Sequence, residues 1–163
     1  MIPVSKEPAF SPSTYTKADT FKSLPSGLPG QYRSIADYHE LYLARKLTPL
    51  AVVESLLPLI RRDVTSASSH SIAFVDCNVE LVLEAAKAST QRYKEGKSLG
   101  LLDGVPAGIK DECDVAGYRT FSGRKRDDKL FEIKAESAWP VQKWQEAGVI
   151  IMGKMNMHEI GSG

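Results

Sequence analysis

One lysine stands out as the residue of this chain best suited to chemistry. Lys110 ends a short apolar stretch in which Gly104, Pro106 and Gly108 constrain the backbone. Burying a charged amine costs several kcal/mol, so a lysine shielded from water loses its proton readily and can act as a base. The local sequence also allows a second interpretation, in which Lys110 lies at a strand end and its amine reaches water.

Other self-contained active sites are not indicated. The chain has no GxGxxG motif and no P-loop, so nothing is expected to cradle a nucleotide phosphate. His158-Glu159 lacks the second histidine of a zinc-binding helix. Cys77 and Cys113 form no CxxC pair, which favours free thiols in a reducing compartment. We therefore predict neither a cofactor nor a metal.

Composition and charge limit the classes of partner and the cellular location that we expect for this protein. The 163 residues are 42% hydrophobic and 25% charged, which is typical of a globular domain. A formal net charge of +1 does not favour nucleic acid or an anionic membrane as a partner. The longest apolar run falls far short of the ~20 residues that a membrane helix needs. Because the first residues also lack a signal-peptide core, we expect a cytoplasmic protein.

The chain divides into two parts near residue 33. Residues 1–33 are rich in Pro, Ser, Thr and Lys and lack periodicity, which predicts an extended N-terminal arm. Residues 34–163 carry the helical and strand patterns of a single domain. Because Gly161-Ser162-Gly163 is no ending for such a fold, we expect that domain to be incomplete at its C-terminus.

Capping residues and apolar periodicity predict four helices in the domain. Their predicted N-caps are Ser34, Thr48, Asn78 and Ser137. In the third helix the predicted core stripe is Leu81, Ala85 and Ala88. In the fourth helix we expect Trp139 and Trp144 to lie in the core.

Three strands alternate with these helices and predict an α/β architecture. The predicted strands are 71–76, 105–111 and 149–152. The last has no polar alternation, which suits a sheet covered on both faces. Because neighbouring side chains of a strand point to opposite faces, Asp111 should point outward if Lys110 points inward.

Three stretches together resemble the first part of an amidase signature family enzyme. Residues 102–111 (LDGVPAGIKD) are similar to the family's G-[IV]-P-x-x-[IVL]-K-D segment, and residues 114–120 (DVAGYRT) to its D-x-x-G-x-x-T turn. Residues 146–159 (EAGVIIMGKMNMHE) are similar to E-A-G-A-x-x-x-G-K-T-N-M-x-E, with Met155 where the family usually has Thr. The resemblance implies the N-terminal part of the amidase signature fold, a mixed sheet covered by helices, in a truncated form.

The same resemblance implies a serine hydrolase with a Ser–cis-Ser–Lys triad acting on a small carboxamide. Lys110 matches the catalytic lysine, whereas both serines belong to a Gly/Ser-rich segment beyond the third stretch. We therefore expect this chain alone to be inactive. The residues expected to support the site structurally are Gly104, Pro106, Gly108, Asp111, Asn156 and Glu159.

Two other functions stay open at this point. The first is an amidotransferase-type component of a tRNA-dependent complex, which the near-neutral charge does not favour. The second is a non-catalytic truncated remnant with a binding role. The sequence identifies neither the amide nor an oligomeric state.

Overall fold

The computed structural model describes residues 33–161, so the predicted arm lies outside the described residues except for Arg33. The helices and strands, in chain order, are α1 (Ile35–Leu43), α2 (Pro49–Ile60), β1 (Phe74–Asp76), α3 (Val79–Lys94), β2 (Pro106–Lys110), α4 (Trp139–Glu146) and β3 (Ile150–Met155). Two short 3₁₀ helices lie at Ser69–Ala73 and Glu159–Gly161. No helix in this part of the chain is long and apolar enough to cross a membrane.

Side-chain caps begin the first three helices where the sequence predicts. Ser34 and Asp37 form a capping box, in which each side chain accepts a hydrogen bond from the other residue's N–H, at 3.2 and 2.7 Å. Thr48 and Asn78 each accept a hydrogen bond from the third amide of α2 and α3, at 3.1 and 3.3 Å. These bonds satisfy amides that have no partner within the helix, and they confirm the three predicted helix starts.

The buried face of α3 is displaced by one residue from the predicted one. Leu81, the first residue of the predicted stripe, is 38% exposed, whereas Val82 and Ala86 are buried. The same buried face carries Ser89, whose hydroxyl donates a 2.7 Å hydrogen bond to the buried Asp103 carboxylate. Apolar periodicity predicted the wrong face of α3 because the face that is buried includes a polar residue, Ser89. The Ser89 hydroxyl finds its hydrogen-bond partner in Asp103, which lies outside the helix.

The start of α4 differs from the predicted capping. The N-cap residue is Ala138, and no side chain caps the helix. Ser137 is buried, and its hydroxyl instead accepts a hydrogen bond from the Ala116 N–H at 2.9 Å. The predicted Ser137 cap is therefore wrong, because a tertiary partner takes the hydroxyl.

Both tryptophans of α4 are exposed to solvent in the part of the chain that the structure describes. Trp139 is 70% exposed and Trp144 is 46% exposed, so the expectation that they lie in the core is wrong here. Val141 is the buried residue of this helix, and it packs with Val149 and Ile151 of the following segment. Because α4 has only eight residues, it offers the core little more than one contact face, and Val141 lies on that face.

β3 is the central strand of a three-stranded mixed sheet. The strand order is β1-β3-β2, with β2 parallel and β1 antiparallel to β3. The first five residues of β3 are buried, which confirms the predicted strand covered on both faces. It extends three residues past the predicted end, and β1 begins only at Phe74 because the preceding residues form a 3₁₀ helix.

Helices cover both faces of this sheet, which confirms the predicted α/β class. On one face, α2 and α3 pack against Ile150 and Met152 of β3. On the other, α4 packs with Ile109 and Ile151. The two faces have separate apolar cores, and β3 contributes alternate side chains to each.

Two glycines that end helices offer a matched test of local packing. Gly96 after α3 and Gly148 after α4 both have positive φ, 69° and 88°. A Cβ at Gly96 would meet no atom within 4 Å, whereas one at Gly148 would lie 2.5 Å from Asp103 Oδ1. We expect Gly96→Ala to cost about 1–2 kcal/mol of unfolding free energy from backbone strain. Gly148→Ala should cost about 1–3 kcal/mol more through overpacking.

Urea unfolding followed by circular dichroism measures both losses. Equal losses for the two variants would contradict the close packing of Gly148 against Asp103.

Candidate catalytic site at Lys110

Lys110 is the last residue of β2, and its side chain lies on the open face of that strand. Ile109 beside it is buried, so alternation along the strand turns Lys110 the other way. The Lys110 side chain is 54% exposed, and its Nζ lies 3.2 Å from Oε1 of the half-exposed Glu112. Within residues 33–161 the Lys110 amine therefore reaches water, as in the second interpretation, in which Lys110 lies at a strand end. These residues do not provide the shielding that a neutral amine was expected to need.

The buried charges at this end of the sheet belong to Asp111 and Lys154. Both side chains are 0% exposed, and Lys154 Nζ donates a 2.9 Å hydrogen bond to Asp111 Oδ1. The same Nζ donates to the Arg119 carbonyl at 3.2 Å and to Thr120 Oγ1 at 3.0 Å, which gives each of its three N–H groups a partner.

Of the two orientations that the sequence allows, the one with Lys110 inward and Asp111 outward is not observed: Asp111 is buried and Lys110 is half-exposed. Ile109 is the bulky apolar residue of β2, and the core fixes its direction. Asp111 follows two residues later and therefore falls on the same, covered face. Lys110 consequently takes the outward direction.

Every polar group of Asp111 has a partner in another segment. Its Oδ2 accepts a hydrogen bond from the Phe121 N–H at 3.1 Å, in addition to the Lys154 bond. Its own N–H donates to the Met155 carbonyl at 3.0 Å, and its carbonyl accepts from the Ser122 N–H at 3.2 Å. Asp111 thus joins the end of β2 to the end of β3 and to the 119–122 loop, and it fixes the backbone next to Lys110.

Gly108 allows the side chain of Met155 to lie directly against β2. A Cβ at Gly108 would be 2.5 Å from Met155 Sδ and 2.7 Å from its Cγ. Met155 is also the Cα partner of Lys110 in the parallel register. The methionine at this position, where the resemblance predicts threonine, therefore packs over Gly108 on the strand that carries Lys110.

Gly104 and Pro106 lie at the other end of β2. Gly104 has φ +80°, and a Cβ there would be 2.6 Å from Cγ of Pro49 at the start of α2. Pro106 is the first residue of the strand. Gly104 is six residues from Lys110, about 20 Å along an extended strand. These two residues therefore shape the approach to β2 and do not contact the Lys110 amine.

Asn156 and Glu159 follow β3 at the same end of the sheet as Lys110. The Asn156 N–H donates to the Ala73 carbonyl at 2.8 Å, and its Oδ1 accepts from the Met157 N–H at 3.0 Å. Glu159 begins the second 3₁₀ helix. Lys110, Asp111 and Asn156 thus gather at the carboxyl ends of two parallel strands, the usual position of sites in open α/β sheets.

A second buried carboxylate, Asp103, lies before β2. Arg92 donates two hydrogen bonds to it, at 2.6 and 3.0 Å, and the Leu99 N–H and Ser89 hydroxyl donate two more, at 3.0 and 2.7 Å. Burial raises the pKa of Asp103, but these hydrogen bonds and the Arg92 charge outweigh burial and hold it below its ordinary value of 3.8. Asp103 thereby anchors the start of β2 to α3.

Sequence reasoning missed the roles of Lys154 and Asp103. Lys154 stands directly after the apolar run 149–152 and Gly153, so a longer strand prediction would have flagged a charge in a buried position. No local pattern links Asp103 to Arg92, which lies eleven residues earlier on another element. Among residues 33–161, no group of three or more His, Cys, Asp or Glu side chains could hold a metal ion.

Comparison with known proteins identifies the class of protein. The family model described as Amidase matches residues 55–163. A fatty acid amide hydrolase of Arabidopsis thaliana is 31% identical over 157 residues, which are 96% of this chain and 24% of that protein. The chain therefore belongs to the amidase signature family.

Two further matches extend this comparison. A mitochondrial glutamyl-tRNA(Gln) amidotransferase subunit of Mus musculus is 30% identical over 118 residues, 72% of this chain and 21% of that protein. The native peptide amidase of Stenotrophomonas maltophilia shares the fold, with a TM-score of 0.66 and 24% identity over 77% of this chain and 25% of that one. The chain spans about a quarter of the length of the relatives it matches.

The buried Asp111–Lys154 pair leads to a stability prediction with a matched control. Lys154→Met leaves the Asp111 carboxylate buried without its cation, so we expect a loss of about 3–5 kcal/mol in unfolding free energy. Lys110→Met removes a half-exposed partner of an ion pair and should cost at most about 1 kcal/mol. The double variant Asp111→Asn/Lys154→Met should recover part of the loss, because no buried charge remains.

Urea unfolding of the four proteins at neutral pH provides the measurement. If Lys110→Met proved as destabilising as Lys154→Met, the assignment of the buried charge to Lys154 would be wrong.

The lowered pKa of Asp103 predicts a loss of stability in acid. Because the folded state favours the carboxylate, the Asp103 contribution is fully present above its ordinary pKa of 3.8 and is lost as the pH falls below that value. We expect the unfolding free energy to fall as the pH is lowered through about 4 and below, and to fall less steeply in Asp103→Asn. Identical slopes for the two proteins would show that Asp103 does not gain from its hydrogen bonds.

Proposed function

We propose that the protein to which this chain belongs hydrolyses a carboxamide by serine chemistry, with Lys110 as the base of a Ser–cis-Ser–Lys triad. Membership of the amidase signature family supports this proposal. The substrate is a small-molecule amide, and the reaction needs no cofactor. A cytoplasmic location remains a prediction from the sequence.

The proposed mechanism begins with a neutral Lys110 amine. It accepts a proton from the bridging serine, which accepts one from the nucleophilic serine. The nucleophilic oxygen attacks the amide carbon, the C–N bond breaks, and the leaving amine takes up a proton. Water then hydrolyses the acyl-enzyme ester, releases the carboxylic acid and restores the serine hydroxyl.

The observation that carries the proposal is that the backbone next to Lys110 is held in place while the Lys110 amine stays exposed. Asp111 holds the end of β2 through bonds to Lys154, Phe121 and Met155, so the Cα of Lys110 is well positioned. General-base catalysis requires such positioning. The exposed half of the Lys110 side chain is available to a further segment.

Activity measurements on a protein that carries this chain together with a Gly/Ser-rich segment of the family type test the proposal. We expect Lys110→Ala to lower kcat for amide hydrolysis by about 10²–10⁴-fold, the usual contribution of a general base. Lys110→Arg should be equally impaired because a guanidinium does not release its proton. Lys143→Ala, a surface change on α4, should leave kcat unchanged.

Full activity of Lys110→Ala would overturn the proposed role of this residue. The 163-residue chain alone is the negative control, because the resemblance assigns neither serine of the triad to it. It should neither hydrolyse amides nor become labelled by a fluorophosphonate probe.

Similarity to an amidotransferase subunit supports a second candidate, a component of a complex that acts on aminoacylated tRNA. The net charge of +1 gives this candidate no support of its own. Copurification with partner proteins and tRNA would favour it, whereas hydrolysis of a free amide by the isolated polypeptide would favour the amidase.

A further inference from the structure

A cavity of about 280 Å³ lies among the helices, and neither a β2 residue nor Lys110 lines it. It is formed between the loop that follows α1 and the last turns of α3, and its buried lining residues are Tyr42, Pro49, Thr90 and Tyr93. Leu47 and Pro49 add aliphatic surface. This volume is near the lower end of the ~300–1,000 Å³ typical of small-molecule sites, so the cavity suits a small ligand.

Hydrogen bonds hold both tyrosines in place from behind. The Tyr42 hydroxyl donates to the Gly104 carbonyl at 3.2 Å, and the Tyr93 hydroxyl donates to the Asp103 carbonyl at 3.0 Å. The two rings meet edge to face, with centroids 5.2 Å apart. Because both hydroxyls are engaged elsewhere, the rings offer mainly aromatic carbon to the cavity, and its interior favours an apolar group.

Two cations also line the cavity. They are Arg45, from the loop after α1, and Lys94, from the last turn of α3. Within the described range 33–161, neither side chain has an ion pair or a hydrogen bond. An arginine and a lysine beside an aromatic cavity provide the charge that complements a carboxylate, and arginine can bind one with two parallel hydrogen bonds.

The backbone of Arg45 makes this side chain unusual. Arg45 has φ +57° directly after the C-cap of α1, in the position where helices usually place glycine. Any residue with a Cβ is less stable than glycine in this conformation. An arginine there is therefore less stable than a glycine would be.

We propose that this cavity binds a small organic carboxylate. The apolar body of the ligand lies against Tyr42 and Tyr93, and its carboxylate lies between Arg45 and Lys94. The inference is independent of the proposed amidase activity, because no residue of the cavity belongs to the candidate catalytic site.

Titration of the 163-residue chain with 3-phenylpropionate, followed by amide chemical shifts in NMR spectra, tests the proposal. For a ligand of this size we expect a dissociation constant in about the millimolar range. The shifts should concentrate at residues 42–49 and 90–94. The neutral analogue 3-phenylpropanol, which keeps the apolar body, should bind at least about tenfold more weakly, because it lacks the charge-assisted hydrogen bonds.

Three variants separate the site from general effects on the fold. Arg45→Gly should raise the dissociation constant for 3-phenylpropionate about tenfold while the thermal midpoint stays the same or rises, because glycine relieves the backbone strain. Lys94→Met should also weaken binding, whereas Lys87→Met, two turns earlier on the same exposed side of α3, should not.

Several results would overturn the proposal. They are the absence of shifts at the cavity residues, equal binding of the acid and the alcohol, and unchanged binding in Arg45→Gly or Lys94→Met. Equal weakening in Lys87→Met would also overturn it, because that result would indicate attraction by the overall charge of α3.

Discussion

The buried ion pair between Asp111 and Lys154 is the constraint on which the candidate site depends. Removing two charges from water is costly, and such a pair persists only when all of its donors and acceptors find partners. Here the ammonium has three acceptors, and Asp111 bonds to the 119–122 loop and to β3. A misplaced β2 would break several of these bonds together, so the pair specifies one arrangement of the strand ends.

A second buried carboxylate fixes the opposite end of the same strand. Asp103 ties the approach to β2 to α3 through Arg92 and Ser89, and Gly148 packs closely against it. The strand that carries Lys110 is therefore anchored at both ends by buried carboxylates. The neighbouring central strand, β3, is buried by the apolar cores on the two faces of the sheet.

This arrangement suits a general base. The backbone of Lys110 is immobilised by its neighbour, while its amine remains on the open side of the sheet with Glu112 as a weak, half-exposed partner. The fatty acid amide hydrolase and the peptide amidase compared above are about three to four times as long as this chain. The proposed shielding of the Lys110 amine would come from such additional segments.

The sequence by itself determined the family, the α/β class, the first three helix starts and the central strand, because caps, apolar periodicity and the three motif stretches are local signals. The tertiary structure alone decided which charge is buried. Alternation along β2 is local, but only packing against Ile109 and the 119–122 loop selects the covered face and places Asp111, not Lys110, within it. It also decided the buried face of α3 and the exposure of Trp139, because both depend on partners far away in sequence.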